Sequence, residues 1–233
     1  MDYKIIHQFP KNGGGASLLS SLEASTREVL QVANLREDHV LFRAVVGHAS
    51  VGGIALVRER IMLPLLSARN LTVQWVVGVD FNSRPADTFR ALDALVREFG
   101  ERLGERLGIF LFSSNGQGKS SIMHTKMYWI GTFREKGGKH TDVLDYVFVG
   151  SSNLSVGGLE ENRELGVRIK LGDSDQKERI AFQKIWDEYE RSKKCHALDE
   201  RDFRAKFERR RGEEHMDWRR DHPKHRHPWA AKV

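Results

Sequence analysis

The chain has a single cysteine, Cys195, among its 233 residues. No internal disulfide can form, and no thiolate-rich zinc module can be assembled. Cys195 reads as an ordinary thiol in a charged helix tail, and a reducing cytoplasm is the expected compartment. Long apolar runs are also missing. No stretch approaches the roughly 18 apolar residues of a membrane-spanning helix, and the first residues lack the basic-then-apolar pattern of a leader. We therefore expect no membrane span. The absence of a repeat of about 20 to 50 residues argues against a solenoid or propeller.

Charge is present but unevenly spread. Residues 201 to 233 hold 11 Lys/Arg against 6 Asp/Glu, so they carry nearly all of the chain's net charge of +6. A basic end of this kind meets a polyanion or is a solvated terminus. Arg219, Arg220, Lys224 and Arg226 are its candidate nucleic-acid contacts, with Trp218 and Trp229 as candidate stacking residues. His215, His222, His225 and His227 have no cysteine partner and fit no finger spacing, so no metal site is expected there.

The hydrophobic pattern alternates between strand and helix periods. Met1–Phe9 reads as a short strand or arm, and Lys11–Gly15 as a flexible break. Ser17–Val32 has helical spacing behind hydroxyl caps. Val40–Val46 is β-branched, and Gly52-Gly53 opens a helix to about Ala68 that Pro64 should kink or end. Leu71–Val79 is a strand. Pro85 begins a helix with Phe89, Leu92, Val96 and Phe99 on one stripe, stopping at Gly100. Strands follow at Ile109–Phe112, Ile122–Ile130, Leu144–Val149 and Leu165–Leu171, with Arg134–Thr141 read as a loop insertion. Asp173 and Gln176 resemble a capping box before a helix faced by Phe182, Ile185, Trp186 and Tyr189. A charged helix is expected over Leu198–Arg211. Alternating strands and helices indicate an α/β sandwich with a mixed sheet, with a core over 1–172 and C-terminal helices and basic tail over 173–233.

One constellation carries chemistry. His124 and Lys126 stand two apart on an expected strand and so share a face. Gly150-Ser151-Ser152-Asn153 then offers a small-residue turn, with Glu164 beyond it. Imidazole, ammonium, hydroxyl and amide supply a nucleophile and several donors for phosphate oxygens without a carboxylate cluster, so neither a metal nor another cofactor is implied.

This arrangement resembles the phospholipase D superfamily, whose pattern runs H-x-K-x4-D, then G-S/G-x-N, then a downstream glutamate. His124, Lys126, Gly150, Ser151, Asn153 and Glu164 match it, and the resemblance covers Val40 to Ile169. Gly131 stands where the pattern has Asp, a loss that the nuclease branch of the family tolerates. The resemblance implies a phospholipase D-like α/β/α sandwich with a mixed central β-sheet. It also implies a phosphohistidine mechanism with His124 as nucleophile, Lys126, Asn153 and Ser151 on the phosphate, and Glu164 orienting a histidine. Family members pair two H-x-K motifs. His222-Pro223-Lys224 has no room for the accompanying turn, so a homodimer is expected to complete the site.

The single motif, the missing Asp and a basic tail without a membrane-binding stripe favour an endonuclease acting on DNA, similar to the metal-independent restriction-endonuclease branch. About 60 residues follow the sheet, too few for a large recognition domain, so cleavage is nonspecific or a partner protein such as a helicase or methyltransferase directs it. The alternatives are a phosphatidyl hydrolase or transferase, and a nucleic-acid-binding module with a vestigial site. His48, after the first apolar strand, stands where a strand end could approach the site, but it is read as a core or loop histidine instead.

Overall fold

A computed structural model of the chain describes residues 1–8, 16–79, 85–113, 123–136 and 139–198. They fall in a compact unit, Met1–Leu198, and the second unit, Asp199–Val233, lies outside the described residues. Outside them too lie the break at Lys11–Gly15, the helix expected to Arg211, and every tail residue named above.

The chain begins with strand β1 (Asp2–Gln8) and helix α1 (Leu18–Arg36). Ser17 caps α1 by accepting the Ser20 N–H on its hydroxyl at 3.0 Å, which satisfies one of the amides left open at a helix start. Strand β2 (His39–Val46) follows, then α2 (Val51–Val57), a π-helical turn (Arg58–Met62) and α3 (Leu63–Leu65). The expected single helix is thus rearranged around Pro64. Proline supplies no amide to the ladder, and the turn before it widens so that Leu63 N–H reaches the Arg58 carbonyl five residues back.

Strand β3 (Asn70–Gly78) leads to α4 (Pro85–Leu103) and β4 (Leu107–Phe112). α4 runs through Gly100 and ends before Gly104, whose φ of +54° lies in the left-handed region that glycine enters without a Cβ clash. Leu95, with Phe89, Leu92 and Phe99, forms its buried stripe.

Strands β5 (Lys126–Lys136) and β6 (Lys139–Gly150) form a long hairpin. The expected loop insertion at 134–141 is instead strand: Arg134 pairs with Thr141 and Lys136 with Lys139, beyond an irregularity between Thr132 and Arg134. Backbone pairing overrides the polar composition there. After β7 (Glu164–Leu171) come α5 (Gln176–Glu190) and β8 (Cys195–Ala197). The capping box does not form. Asp175 precedes α5 without a side-chain cap, while Asp173 Oδ1 accepts Val143 N–H at 2.7 Å. Cys195 lies in an edge strand opposite Phe112, not in a helix tail, and burial pushes its thiol up to about 12.

The sheet is mixed, in the order β1-β7-β6-β5-β2-β3-β4-β8, with β2, β3 and β4 parallel and the other pairings antiparallel. α1 to α4 cover one face, where Phe42 and Trp75 meet edge to face at 6.0 Å. α5 covers the other with Trp186 set among Val45, Val76, Met127, Trp129 and Val147. From Lys126 to Thr132, strand β5 is therefore buried on both sides, as a central strand of a layered α/β fold must be. α5 leaves the β1–β7–β6 end of its face open: Tyr3, Ile5, Val149 and Leu165 are exposed.

Candidate active site

The motif residues meet where β5 begins and β6 ends. His124 precedes the first paired residue and is exposed, while Lys126 opens β5 opposite Val46 and is only 5% exposed. The lysine ammonium donates to the His124 carbonyl at 2.7 Å, which ties the two motif residues together. Burial drives the Lys126 pKa below the ordinary lysine range and Glu164 opposes that shift.

The turn after β6 is fastened from several sides. Ser151 N–H donates to the Leu165 carbonyl at 3.1 Å, and the Leu165 amide donates to Ser151 Oγ at 3.2 Å. The Ser151 hydroxyl in turn donates to Glu164 Oε2, so serine and glutamate form one unit. Asn162 Nδ2 reaches the other Glu164 oxygen at 3.5 Å. Ser152, which carried no role in the sequence reading, is buried, and its carbonyl accepts the Tyr128 hydroxyl at 3.3 Å. Tyr128 follows Lys126 by two residues on the same strand face, and that spacing was the available signal for this anchor. Lys126, Tyr128, Gly150, Ser152 and Glu164 line one narrow cleft between β5–β7 and α1.

Close backbone approach brings the two motif segments together. Gly47 N–H donates to the Thr125 carbonyl at 2.9 Å, and a Cβ on Gly47 would stand 2.6 Å from the Met123 carbonyl oxygen. A Cβ on Gly53 would stand 2.3 Å from the Leu154 carbonyl oxygen. Glycine is needed at both places because real Cβ atoms do not come that near. The segment between them, Gly47 to Gly53, therefore lies against the start of β5 on one side and against the asparagine turn on the other. It belongs to the site, although no motif marks it.

Gly131, the departure from the motif pattern, lies directly opposite Asp145. A Cβ at 131 would meet Asp145 Oδ1 at 1.8 Å, so a carboxylate from the neighbouring strand already fills that place. Asp145 is buried and accepts from Arg179 Nε at 2.6 Å, while Arg179 Nη2 donates to the Gly172 carbonyl at 3.0 Å.

Among the described residues no group of three or more His, Cys, Asp or Glu is placed to hold a metal. No described helix is long and apolar enough to cross a membrane.

The arrangement has known counterparts in architecture. Phosphatidylserine synthase from Haemophilus influenzae Rd KW20 aligns with 84% of this chain at a TM-score of 0.54 and 12% identity, and the chain covers 39% of that protein. Nuc from Salmonella typhimurium, a phospholipase D family member, aligns with 84% of this chain and 97% of its own at a TM-score of 0.45 and 13% identity. NucT from Helicobacter pylori does so over 84% and 99%, at 0.42 and 14%. No family model and no curated protein sequence matches the chain. The chain shares its α/β fold with that phosphatidylserine synthase, and a mixed sheet between helices is the architecture that the His124–Lys126 and Gly150–Asn153 motifs led us to expect.

Proposed function

We propose that this protein is a metal-independent phosphodiesterase, specifically an endonuclease that cleaves DNA through a covalent phosphohistidine. The observation that carries the reading is the convergence of exposed His124, buried Lys126 and the Ser151–Glu164 unit at one end of the sheet. In the first step the His124 imidazole attacks phosphorus, a P–N bond forms, the P–O bond to the leaving strand breaks, and His124 of a second copy protonates the departing oxygen. That second histidine then takes a proton from water, which displaces the first and restores both. Lys126 and Asn153 hold the non-bridging oxygens as charge develops.

A homodimer supplies the second histidine, since one chain carries one such motif and a twofold axis presents identical halves to each other. The exposed Val149 and Leu165 flank Ser151 and Glu164 in sequence and leave apolar surface beside the site for such a contact. Nucleic acid rather than lipid is supported by the basic residues 201–233. Arg219, Arg220, Lys224 and Arg226 belong to that proposal and not to the described structure. A partner protein remains part of the same proposal, as the source of sequence targeting.

The test is incubation of purified protein with plasmid DNA, RNA and phosphatidylcholine in excess chelator. Cleavage of DNA in chelator is the expected result. Turnover only of the lipid transfers the site to phospholipids, and activity that returns only with magnesium removes the phosphohistidine mechanism. Deleting residues 212–233 should weaken DNA binding and make its salt dependence shallower by a few units, roughly one per lost phosphate contact. Fluorescence anisotropy across salt concentrations reads this out, and an unchanged slope confines DNA binding to the sheet end.

A further inference from the structure

The sequence sets Tyr189 on the apolar face of α5, yet its hydroxyl reaches the motif segment, where it shares a hydrogen bond with Thr125 Oγ1. Thr125 is the middle residue of His124-Thr125-Lys126. Alternation along an extended chain turns its side chain to the face opposite that of its two neighbours. Met123 and Met127, two residues to either side, are buried in the apolar cluster against which Tyr189 packs. Two hydroxyls therefore meet among apolar side chains, where each replaces the water that the other would lose.

Tyr189 is itself firmly placed. Its ring meets Phe112 edge to face at 5.7 Å. Its carbonyl accepts Ser192 N–H at 3.1 Å, and the turn beyond is tied to the end of β4 by Ser113 N–H on the Lys194 carbonyl at 3.0 Å.

The motif segment is thus held at three points. The His124 carbonyl accepts from Lys126 Nζ, the Thr125 carbonyl accepts from Gly47 N–H, and the Thr125 hydroxyl is bonded to Tyr189. Of these, the bond to Tyr189 comes from the α5 side of the sheet. β5 begins at Lys126, so His124 stands outside the paired strand with its side chain exposed. A nucleophile must come within roughly 3–3.5 Å of the reacting atom along one line, and an error of about 1 Å costs on the order of 100-fold in rate.

We propose that Tyr189 is a positioning residue of the active site. Its bond to Thr125 fixes the backbone of the motif segment from the far face of the sheet, and so sets the line along which the His124 imidazole meets phosphorus. This rests on the phosphodiesterase reading for what His124 attacks, whereas the hold on the histidine does not depend on turnover.

Four proteins test it: wild type, Tyr189→Phe, Thr125→Ser, and the double variant Tyr189→Phe/Thr125→Val. Removing one hydroxyl strands the other, whereas replacing both with apolar groups of similar shape leaves no unmet partner. A bond that served stability alone would let the double variant both melt and cleave like wild type. A positioning bond lets it melt like wild type but not cleave like it. Tyr189→Phe and the double variant should each lose about 10-fold in kcat, with KM within about twofold of wild type. Thr125→Ser keeps the hydroxyl and should stay within about threefold of wild type. Full recovery of kcat in the double variant overturns the proposal, as does an unchanged kcat in Tyr189→Phe.

The second readout needs no turnover. In carbon–proton correlation spectra of protein labelled at histidine, the His124 ring signal is identified by its loss in His124→Ala. Tyr189→Phe and the double variant should move that signal in the same direction, because phenylalanine keeps the ring and loses only the hydroxyl. Thr125→Ser should leave it at the wild-type position. A His124 signal that stays in place in the first two variants overturns the proposal. If wild type cleaves no phosphodiester, the functional reading falls alone, and the ring spectra still decide whether Tyr189 positions His124.

Discussion

The two ends of the β5–β6 hairpin bury polar groups in opposite ways. Toward the hairpin end, Asp145 and Arg179 meet as a buried pair across the sheet and α5. The guanidinium also donates to the Gly172 carbonyl, which leaves Nη1 as its one atom without a partner among the described residues. At the start of β5, Lys126 is nearly as buried but is held by a carbonyl, with no described carboxylate within ion-pair distance. His48 and Asn153 nearby each leave a buried atom unmet. The first arrangement pairs charge with charge and serves architecture. The second keeps hydrogen-bonding capacity and unpaired positive charge, which costs stability and is tolerated where a ligand can use it.

The largest expected effect breaks the site and spares the fold. His124→Ala should lower phosphodiester turnover by at least about a thousandfold while thermal melting stays within a few degrees, because the side chain is exposed and the packing belongs to its neighbours. Activity within about tenfold of wild type would take the nucleophile's role from His124.

The mirror experiment is Asp145→Ala, which strands the Arg179 guanidinium inside the protein. A loss of about 3–5 kcal/mol in denaturant unfolding is expected, with catalysis by the molecules that remain folded nearly intact. A loss under about 1 kcal/mol would mean that the pair relaxes into solvent and that the two ends of the hairpin differ little in how they bury charge.

Gly131→Ala sharpens the same point. Its Cβ would collide with the Asp145 carboxylate, and overpacking of this kind costs about 1–3 kcal/mol. The cost should shrink in an Asp145→Gly background, and a double-mutant cycle measures the coupling. Additive losses would show that the two positions do not compete for one space.

Lys126→Met gives the smallest change and concerns stability against pH. Native Lys126 has a pKa below its ordinary value of 10.5, which the unfolded chain regains. Between those two values the unfolded state binds more protons, so stability rises with pH across that window. Below the folded-state pKa, the buried charge costs its full amount. The methionine variant should lack this rise and be at least as stable as wild type near pH 7, as measured by melting temperature across pH. A variant whose pH slope matches wild type would mean that the Lys126 ammonium is well solvated.

Much of the fold was legible because strands and helices write their burial with different periods. β2, β3 and β7 were readable from apolar patterning, and α1 from its Ser17 cap. The misreadings share a cause. The polar stretch 134–141 looks like a loop, yet it pairs because the partner strand lies beside it. Asp173 looks like a cap, yet its carboxylate is taken by Val143 from another strand. Cys195 looks like helix, yet β4 recruits it as an edge. In each case a partner distant in sequence decided the outcome, and composition within one window has no access to that partner.

The site divides in the same way. Sequence alone led us to group His124, Lys126, Ser151, Asn153 and Glu164, since their types and spacing follow a recognisable pattern. Only tertiary structure decided that Ser151 and Glu164 act as one hydrogen-bonded unit and that Asp145 fills the space above Gly131. It also decided that the Gly47–Gly53 segment packs its backbone between the start of β5 and the turn that carries Asn153. The reason is physical: side-chain chemistry is written residue by residue, whereas contact depends on strand register and on how closely two backbones can approach, and both exist only once the sheet has formed.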